Sequence, residues 1–314
     1  MSNSLPSRVF LTGGSGYVGG AVARALLDRG VSVVALVRSE ASAARLPAGA
    51  SPLVGDLRDP SAWQAAARAC DAAVHAAFEY DAQGREAPDA DAAAVAALLD
   101  SAGAGSPLRH VVHTSNAFLL GDHPAGVVDE HAPLEPERVA RTPRLRTEAT
   151  VLGRADVGAV VRVGMVYGEG AGGTLPHVFA ALAAGDALPA LAGRRTRWSL
   201  VHLRDLARLY VRVLETGARG AFHGVDGTPL PVADVVALAA DALATTGVQA
   251  PPAPPDGAVG VFNAEHLGRL GADVAVLPTA SRALGWTPQV PSFAAGAVDA
   301  ARAWHALGAA STAR

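Results

Sequence analysis

Thr12-Gly13-Gly14-Ser15-Gly16-Tyr17-Val18-Gly19 is the stretch of this sequence whose residue types and spacing point most directly to a chemistry. It follows the apolar run Arg8-Val9-Phe10-Leu11-Thr12, and a helical pattern begins at Tyr17. In such a strand-turn-helix setting Gly13 serves the tight turn, Gly16 lets the backbone approach a pyrophosphate, and Gly19 lets the helix pack on the strand. The helix N-terminus then faces the anion, with Ser15, Tyr17 and Val18 beside it.

The second strand ends Ala35-Leu36-Val37-Arg38-Ser39. A carboxylate at this point would hold the ribose hydroxyls of NAD. A guanidinium instead forks onto a 2'-phosphate and stacks on adenine, so Arg38 and Ser39 predict NADP(H).

These residues need a sheet and helices to hold them. Arg8 to Thr12, Val31 to Val37, Ala72 to Ala76, His110 to Thr114 and Val157 to Val163 read as strands, apolar on both faces as in a covered parallel sheet. Tyr17 to Arg29, Ser61 to Ala69, Asp89 to Ala102 and Glu137 to Arg154 read as intervening helices. The expected fold is α/β, a doubly wound parallel (Rossmann) sheet with a smaller, discontinuous C-terminal substrate lobe. Residues 1–165 form the nucleotide domain, with 199–225 returning to it, and 166–198 with 226–314 form the lobe. The Pro251-Pro252-Ala253-Pro254-Pro255 stretch reads as a stiff extended piece.

Composition excludes several classes. Hydrophobic residues make up 50% of the 314 but aromatics only 5%, so the core is built from Ala, Val and Leu. A net charge of -3 without a Lys/Arg block argues against nucleic acid, and no apolar run reaches membrane length. The N-terminal residues do not read as a signal peptide, and the single Cys70 fits a reducing, cytoplasmic setting as a buried small hydrophobe. His110 and His113 fall on opposite faces of one strand and cannot share an ion, so no metal site is expected. A homodimer through alanine-rich helices is possible, though nothing specifies it.

The chain resembles the short-chain dehydrogenase/reductase superfamily, in its extended and atypical branches, often labelled NAD-dependent epimerase/dehydratase. Beside the glycine fingerprint stand Gly55-Asp56-Leu57-Arg58, Val74-His75-Ala76-Ala77, Val112-His113-Thr114-Ser115, Val163-Gly164-Met165-Val166-Tyr167-Gly168, Leu200 to Ala207 and the closing Ser281-Arg282-Ala283-Leu284-Gly285-Trp286-Thr287-Pro288. The resemblance implies that Asp56 and Leu57 flank adenine. It places Ala76, Ala77 and Phe78 along the ribose and pyrophosphate channel, and Thr114, Val163 and Val166 near the nicotinamide. His202 and Asp205 would tie the lobes together.

Family members typically pair a serine on the fifth strand with a downstream Tyr-x-x-x-Lys. Aligning Glu148 with the acidic residue that often follows puts Arg144 at the lysine position and Ala140 at the tyrosine position. Alanine transfers no proton, and a guanidinium is too weak an acid near neutrality. Arg144 can still bind ribose hydroxyls and place positive charge near the nicotinamide. Ser115 is the expected polar contact to a reacting carbonyl, with Asn116 and His113 as neighbours to test, and Tyr167 or Tyr80 as replacement donors. Arg194-Arg195-Thr196-Arg197-Trp198 suggests an anionic or flat substrate, or a solvated turn. The leading function is an NADPH-dependent reductase of a carbonyl, imine or activated alkene in a small molecule. An epimerase or dehydratase, and a non-catalytic NADP(H) sensor or scaffold, are the alternatives.

Overall fold

Strand β1 (Arg8–Thr12) occupies the middle of a seven-stranded parallel sheet. The computed structural model describes residues 4–78, 88–103, 105–123, 126–134, 142–169, 172–185, 188, 195–247 and 271–312. Tyr80, Ala140, Arg194 and the proline-rich stretch at 251–255 lie outside the described residues.

Around β1 stand β2 (Ser32–Val37), β3 (Ser51–Val54), β4 (Ala72–His75), β5 (His110–Asn116), β6 (Gly158–Val163) and, later in the chain, β10 (Gly220–Gly224). Their order is β3-β2-β1-β4-β5-β6-β10, and every neighbouring pair is parallel. The order reverses direction between β1 and β4, which opens a crevice at their C-terminal ends.

Strand alternation distributes the core. In β1, Val9 and Leu11 join the layer of helices α1 (Tyr17–Leu27) and α7 (Leu203–Thr216). Phe10 points the other way and stacks on Trp63, ring centroids 5.6 Å apart. Helices α3 (Gln64–Arg68), α4 (Pro88–Ser101) and α5 (Thr142–Gly153) cover that second face. Cys70 is fully buried there, and burial pushes its thiol up to about 11. Helix α5 starts at Thr142 with Pro143 in its first turn, where a missing N–H is harmless.

A separate apolar cluster forms the lobe. Helices α6 (Leu175–Ala183), α8 (Val232–Thr246) and α10 (Phe293–Thr312) enclose Phe179, Trp198, Val235 and Phe293. Two short pairs accompany the lobe: β7 (Met165–Tyr167), just after β6, runs parallel to β9 (Leu200–His202), which leads into α7, and β8 (Arg197–Trp198) runs antiparallel to β11 (Leu230–Pro231) within the lobe cluster. Among the described residues no helix is long and apolar enough to cross a membrane.

Candidate active site

A cavity of about 490 Å³ opens at the reversal between β1 and β4. Gly13, Ser15, Gly16, Tyr17 and Val18 form one wall, Ala76, Ala77 and Phe78 a second, and Arg38 with Leu57 the far end. Sequence reasoning missed Leu36, Val37, Arg45 and Gly55, which also line it. Arg45 follows a four-residue helix, α2 (Glu40–Ala43), whose turn no local spacing rule would have located.

The three glycines differ in what they do. Gly13 has a positive φ of 75°, and a Cβ there would meet Ala76 C and Ala77 N at 2.6 Å, so the turn after β1 sits against the turn after β4. A Cβ on Gly19 would lie 2.2 Å from Gly13 O, inside the same turn. At Gly16, which lines the cavity, a Cβ would meet only Gly13 O, at 3.2 Å, a tight contact short of a clash. Gly16 is the N-cap of α1 and offers no side-chain cap, and the first turn carries no acidic residue. These features fit a dinucleotide, with a cradle that a Cβ would fill and uncapped N–H groups facing it.

Other expected residues fall outside that cavity lining. Ser39 caps α2, its hydroxyl accepting from Ser42 N–H at 3.2 Å. Asp56 is exposed and accepts from Arg58 N–H. Val163 and Val166 belong to the α1/α7 core layer. Thr114 Oγ1 accepts from the Tyr210 hydroxyl at 2.7 Å.

The expected catalytic side chains are not brought together. Ser115 is turned away, because positions 111, 113 and 115 of β5 face α4 and α5. It is buried, and its hydroxyl donates to Glu148 Oε2 at 2.6 Å. Glu148 Oε1 in turn accepts from Arg162 Nε at 2.8 Å and Nη2 at 2.6 Å, a buried ion pair. Arg162 reaches His223, whose Nδ1 donates to Leu277 O and whose backbone N–H donates to Glu130. The serine thus belongs to a structural network.

Tyr167 is likewise buried, wedged edge-on between His202 and Phe293, and donates to Ser292 O at 3.0 Å. Burial raises its pKa above the ordinary phenol range. Tyr17 lines the cavity, and burial raises its phenol too. Asn116, one residue past Ser115, points to the opposite side of the strand. Its Oδ1 accepts from Phe118 N–H at 2.7 Å, which leaves the amide NH2 as a donor.

Arg144 sits half-buried on α5 with its guanidinium carbon 3.5 Å from the centroid of the Phe78 ring. Phe78 lines the cavity, so the positive charge stands one aromatic ring behind the wall.

Within the arginine-rich stretch of the lobe, Arg197 is engaged in the lobe's own structure. Arg197 pairs with Asp273 at 2.8 Å and donates to the carbonyls of His123 and Gly126, while Trp198 is wholly buried and Arg195 is exposed. His202 caps α7 by accepting from Arg204 N–H, and Asp205 accepts the N–H groups of Gln289 and Val290 at 2.9 Å while its carbonyl takes Trp286 Nε1–H. These bonds join α7 to the segment that leads into α10.

His110 and His113 diverge, as alternation requires, and burial lowers both to about 3. His113 instead meets His75 and Asp91, a grouping from β4, α4 and β5 that no sequence spacing announces.

The sequence profile of the NAD dependent epimerase/dehydratase family matches residues 9–223. A ketoreductase of Stigmatella aurantiaca, acting on a 4-hydroxy-2-methyl-3-oxo-4-farnesyl-3,4-dihydroquinoline-1-oxide, is 30% identical over 77% of this chain and 74% of its own. A 3-diazoavenalumate denitrifying reductase of a Streptomyces species is 29% identical, covering 91% of this chain and 97% of that one. An uncharacterized protein of Saccharomyces cerevisiae is 30% identical over 90% and 95%. Among solved structures, a human epimerase family protein with NADPH superimposes with a TM-score of 0.74 at 23% identity, covering 94% and 99%. The Thermus thermophilus UDP-glucose 4-epimerase with NAD gives 0.72 at 22%, covering 95% and 98%. The match to the family profile, together with the shared fold, places the chain in the NAD-dependent epimerase/dehydratase family of NAD(P)-binding proteins.

Proposed function

We propose that the protein is an NADPH-dependent reductase of a carbonyl, imine or activated alkene in a small molecule. The observation that carries the reading is Arg38 at the far end of the cavity that the glycine turn lines, with no carboxylate paired to it among the described residues. A guanidinium so placed suits a 2'-phosphate and supports the phosphorylated cofactor, which would supply hydride when bound. The names of the Stigmatella and Streptomyces relatives, both reductases, support the same direction.

The chain's own residues then have limited tasks. Arg144, behind Phe78, stabilises negative charge that develops on the substrate oxygen or nitrogen as hydride reaches carbon. Asn116 lies outside the cavity lining, at the end of β5 on the face away from Glu148, and its amide NH2 is the donor assigned to that atom, in the role the sequence first suggested for Ser115. The proton comes from water, since the guanidinium keeps its own. Epimerase or dehydratase chemistry asks for a base as well, and the phenol at the cavity, Tyr17, is held protonated by burial.

Arg38→Asp tests the cofactor. NADPH affinity should fall about a hundredfold while NADH affinity changes little. Equal weakening of both removes the case for a 2'-phosphate contact. NADPH oxidation measured against a panel of ketones, imines and enones tests the reaction, and silence across the panel with tight NADPH binding would point to a sensor.

A further inference from the structure

Behind the cavity wall runs a buried file of hydrogen bonds. Ala77 N–H donates to Thr12 Oγ1 at 3.2 Å, Thr12 Oγ1 lies 2.8 Å from His75 Nδ1, and His75 Nε2 lies 3.1 Å from Asp91 Oδ1. Thr12 and Asp91 are nearly inaccessible and His75 is completely so. Thr12 and Ala77 line the cavity; His75 and Asp91 do not.

For a neutral His75 one proton arrangement satisfies these contacts, while Asp91 Oδ2 and His113 Nδ1 are buried without a partner among the described residues. Burial pushes the Asp91 carboxyl up, but the His75 hydrogen bond and the neighbouring charges, Arg144 among them, bring it below the ordinary range, so it only accepts. A neutral His75 therefore carries its single proton on Nε2. Its Nδ1 is then an acceptor, which obliges the Thr12 hydroxyl to donate inward and leaves the Thr12 oxygen to accept from Ala77. The opposite tautomer would set two acceptors face to face at Asp91. His113 stacks on His75 with ring centroids 5.6 Å apart and 14° between planes, and fixes the ring orientation. The ligand-type atoms of His75, Asp91 and His113 lie within 4.8 Å of one another, yet the hydrogen bonds already account for both nitrogens of His75 without an ion.

We propose that Asp91 is a positioning residue for the cofactor: by fixing the Nε2–H tautomer of His75 it holds Thr12 and the backbone N–H of Ala77 in place, and with them the Ala76–Ala77 turn that packs against Gly13. The contact between the two turns is what transmits the effect, since a Cβ on Gly13 would fall 2.6 Å from that turn's backbone. A carboxylate that touches neither cavity nor ligand thus sets the pyrophosphate side of the site. The inference rests on the dinucleotide reading of the cavity.

The tautomer is read on the unsubstituted protein from imidazole ¹⁵N shifts, with His75→Phe assigning the signal. A pyridine-like Nδ1 and protonated Nε2 are expected at neutral pH, and either the reverse pattern or two protonated nitrogens overturns the proposal. Asp91→Leu removes the acceptor and should weaken NADPH binding about tenfold, with adenosine 2'-monophosphate, which has no pyrophosphate, held within about twofold. Asp91→Asn keeps an acceptor oxygen and should restore NADPH affinity to within about threefold. Equal loss of both ligands in Asp91→Leu, or an Asn variant as weak as the Leu variant, sinks the idea. If the Leu variant does not fold, the tautomer and the Asn variant still decide. Failure of the dinucleotide reading would show separately, as absent NADPH binding by the unsubstituted chain.

Discussion

The turn after β1 and the end of β5 are separated by a single strand, and they treat their polar groups in opposite ways. At the turn, backbone N–H groups and the Arg38 guanidinium face the cavity, and the glycines keep side chains out of it. At the end of β5, Ser115 is bonded to a carboxylate that is itself bonded to a buried arginine. The first region is built to accept a ligand; the second is built to hold β5, α5 and β6 together. Residue type alone does not separate these roles, because a serine near a strand end fits either.

The largest effect should come from the inward network. Glu148→Leu leaves Arg162 buried without its partner, and stability should drop by about 3–5 kcal/mol in urea unfolding. A loss below about 1 kcal/mol would mean the network is not the structural tie described. The cradle should respond the other way. Gly16 has an extended backbone (φ -90°, ψ 179°) that alanine adopts freely, so Gly16→Ala should shift unfolding little. It should weaken NADPH binding at least about tenfold, because Gly16 lines the cavity and an added methyl narrows the backbone's approach to a pyrophosphate. Gly19→Ala should lose both stability and binding, since its Cβ has no room beside Gly13 O.

A finer contrast lies within β5. Ser115→Ala should cost about 1–2 kcal/mol of stability by leaving Glu148 Oε2 without a donor, and leave kcat near its starting value. Asn116→Ala, on the other face, should lower kcat about tenfold in an NADPH oxidation assay. The reverse ranking would return Ser115 to the substrate.

The same contrast explains what the sequence made legible. The cradle could be read because its residues are contiguous: strand, turn and helix follow one another between Arg8 and Leu27, and each glycine's task is local. Arg38 was legible for the same reason, at the end of the next strand. The bonding of Ser115 could not be read, because its environment comes from Glu148 and Arg162, on an adjacent helix and strand farther along the chain. Tyr167 looked available until Ser292 and Phe293, more than a hundred residues on, closed over it. The His75–Asp91–His113 grouping was invisible for a related reason, since three elements bring one residue each. Periodicity located five strands of the main sheet to within two residues and did not announce β3. It overextended the third helix, which breaks into a 3-10 turn at Pro60–Ala62 before Gln64–Arg68.

The smallest effect concerns the lobe junction, where the inward habit of polar groups meets a carboxylate that is incompletely satisfied. Asp226 is 1% exposed, its Oδ1 accepts from Thr228 N–H and Oγ1–H at 2.7 Å, and its Oδ2 has no partner among the described residues. Burial pushes its pKa up to about 6, against the lowering effect of the Thr228 hydrogen bonds and the Arg282 charge. A raised carboxylate means that the folded state keeps a proton that the unfolded chain has already released. Stability from this group is therefore complete below about pH 4, falls as pH rises through 6, and is flat above that. Asp226→Asn cannot ionise, and its Oδ1 still accepts from Thr228. At pH 4 the new NH2, which sits where Oδ2 lacks a partner, should cost about 2 kcal/mol; relative stability should then rise by roughly 3 kcal/mol toward pH 7, about 1.36 for each unit by which the pKa is raised, and level at a net gain on the order of 1 kcal/mol. Urea melts of both proteins at pH 4, 5, 6 and 7 give the difference directly. A gap that does not change with pH would show that Asp226 is ionised throughout and that the junction, unlike the end of β5, admits water.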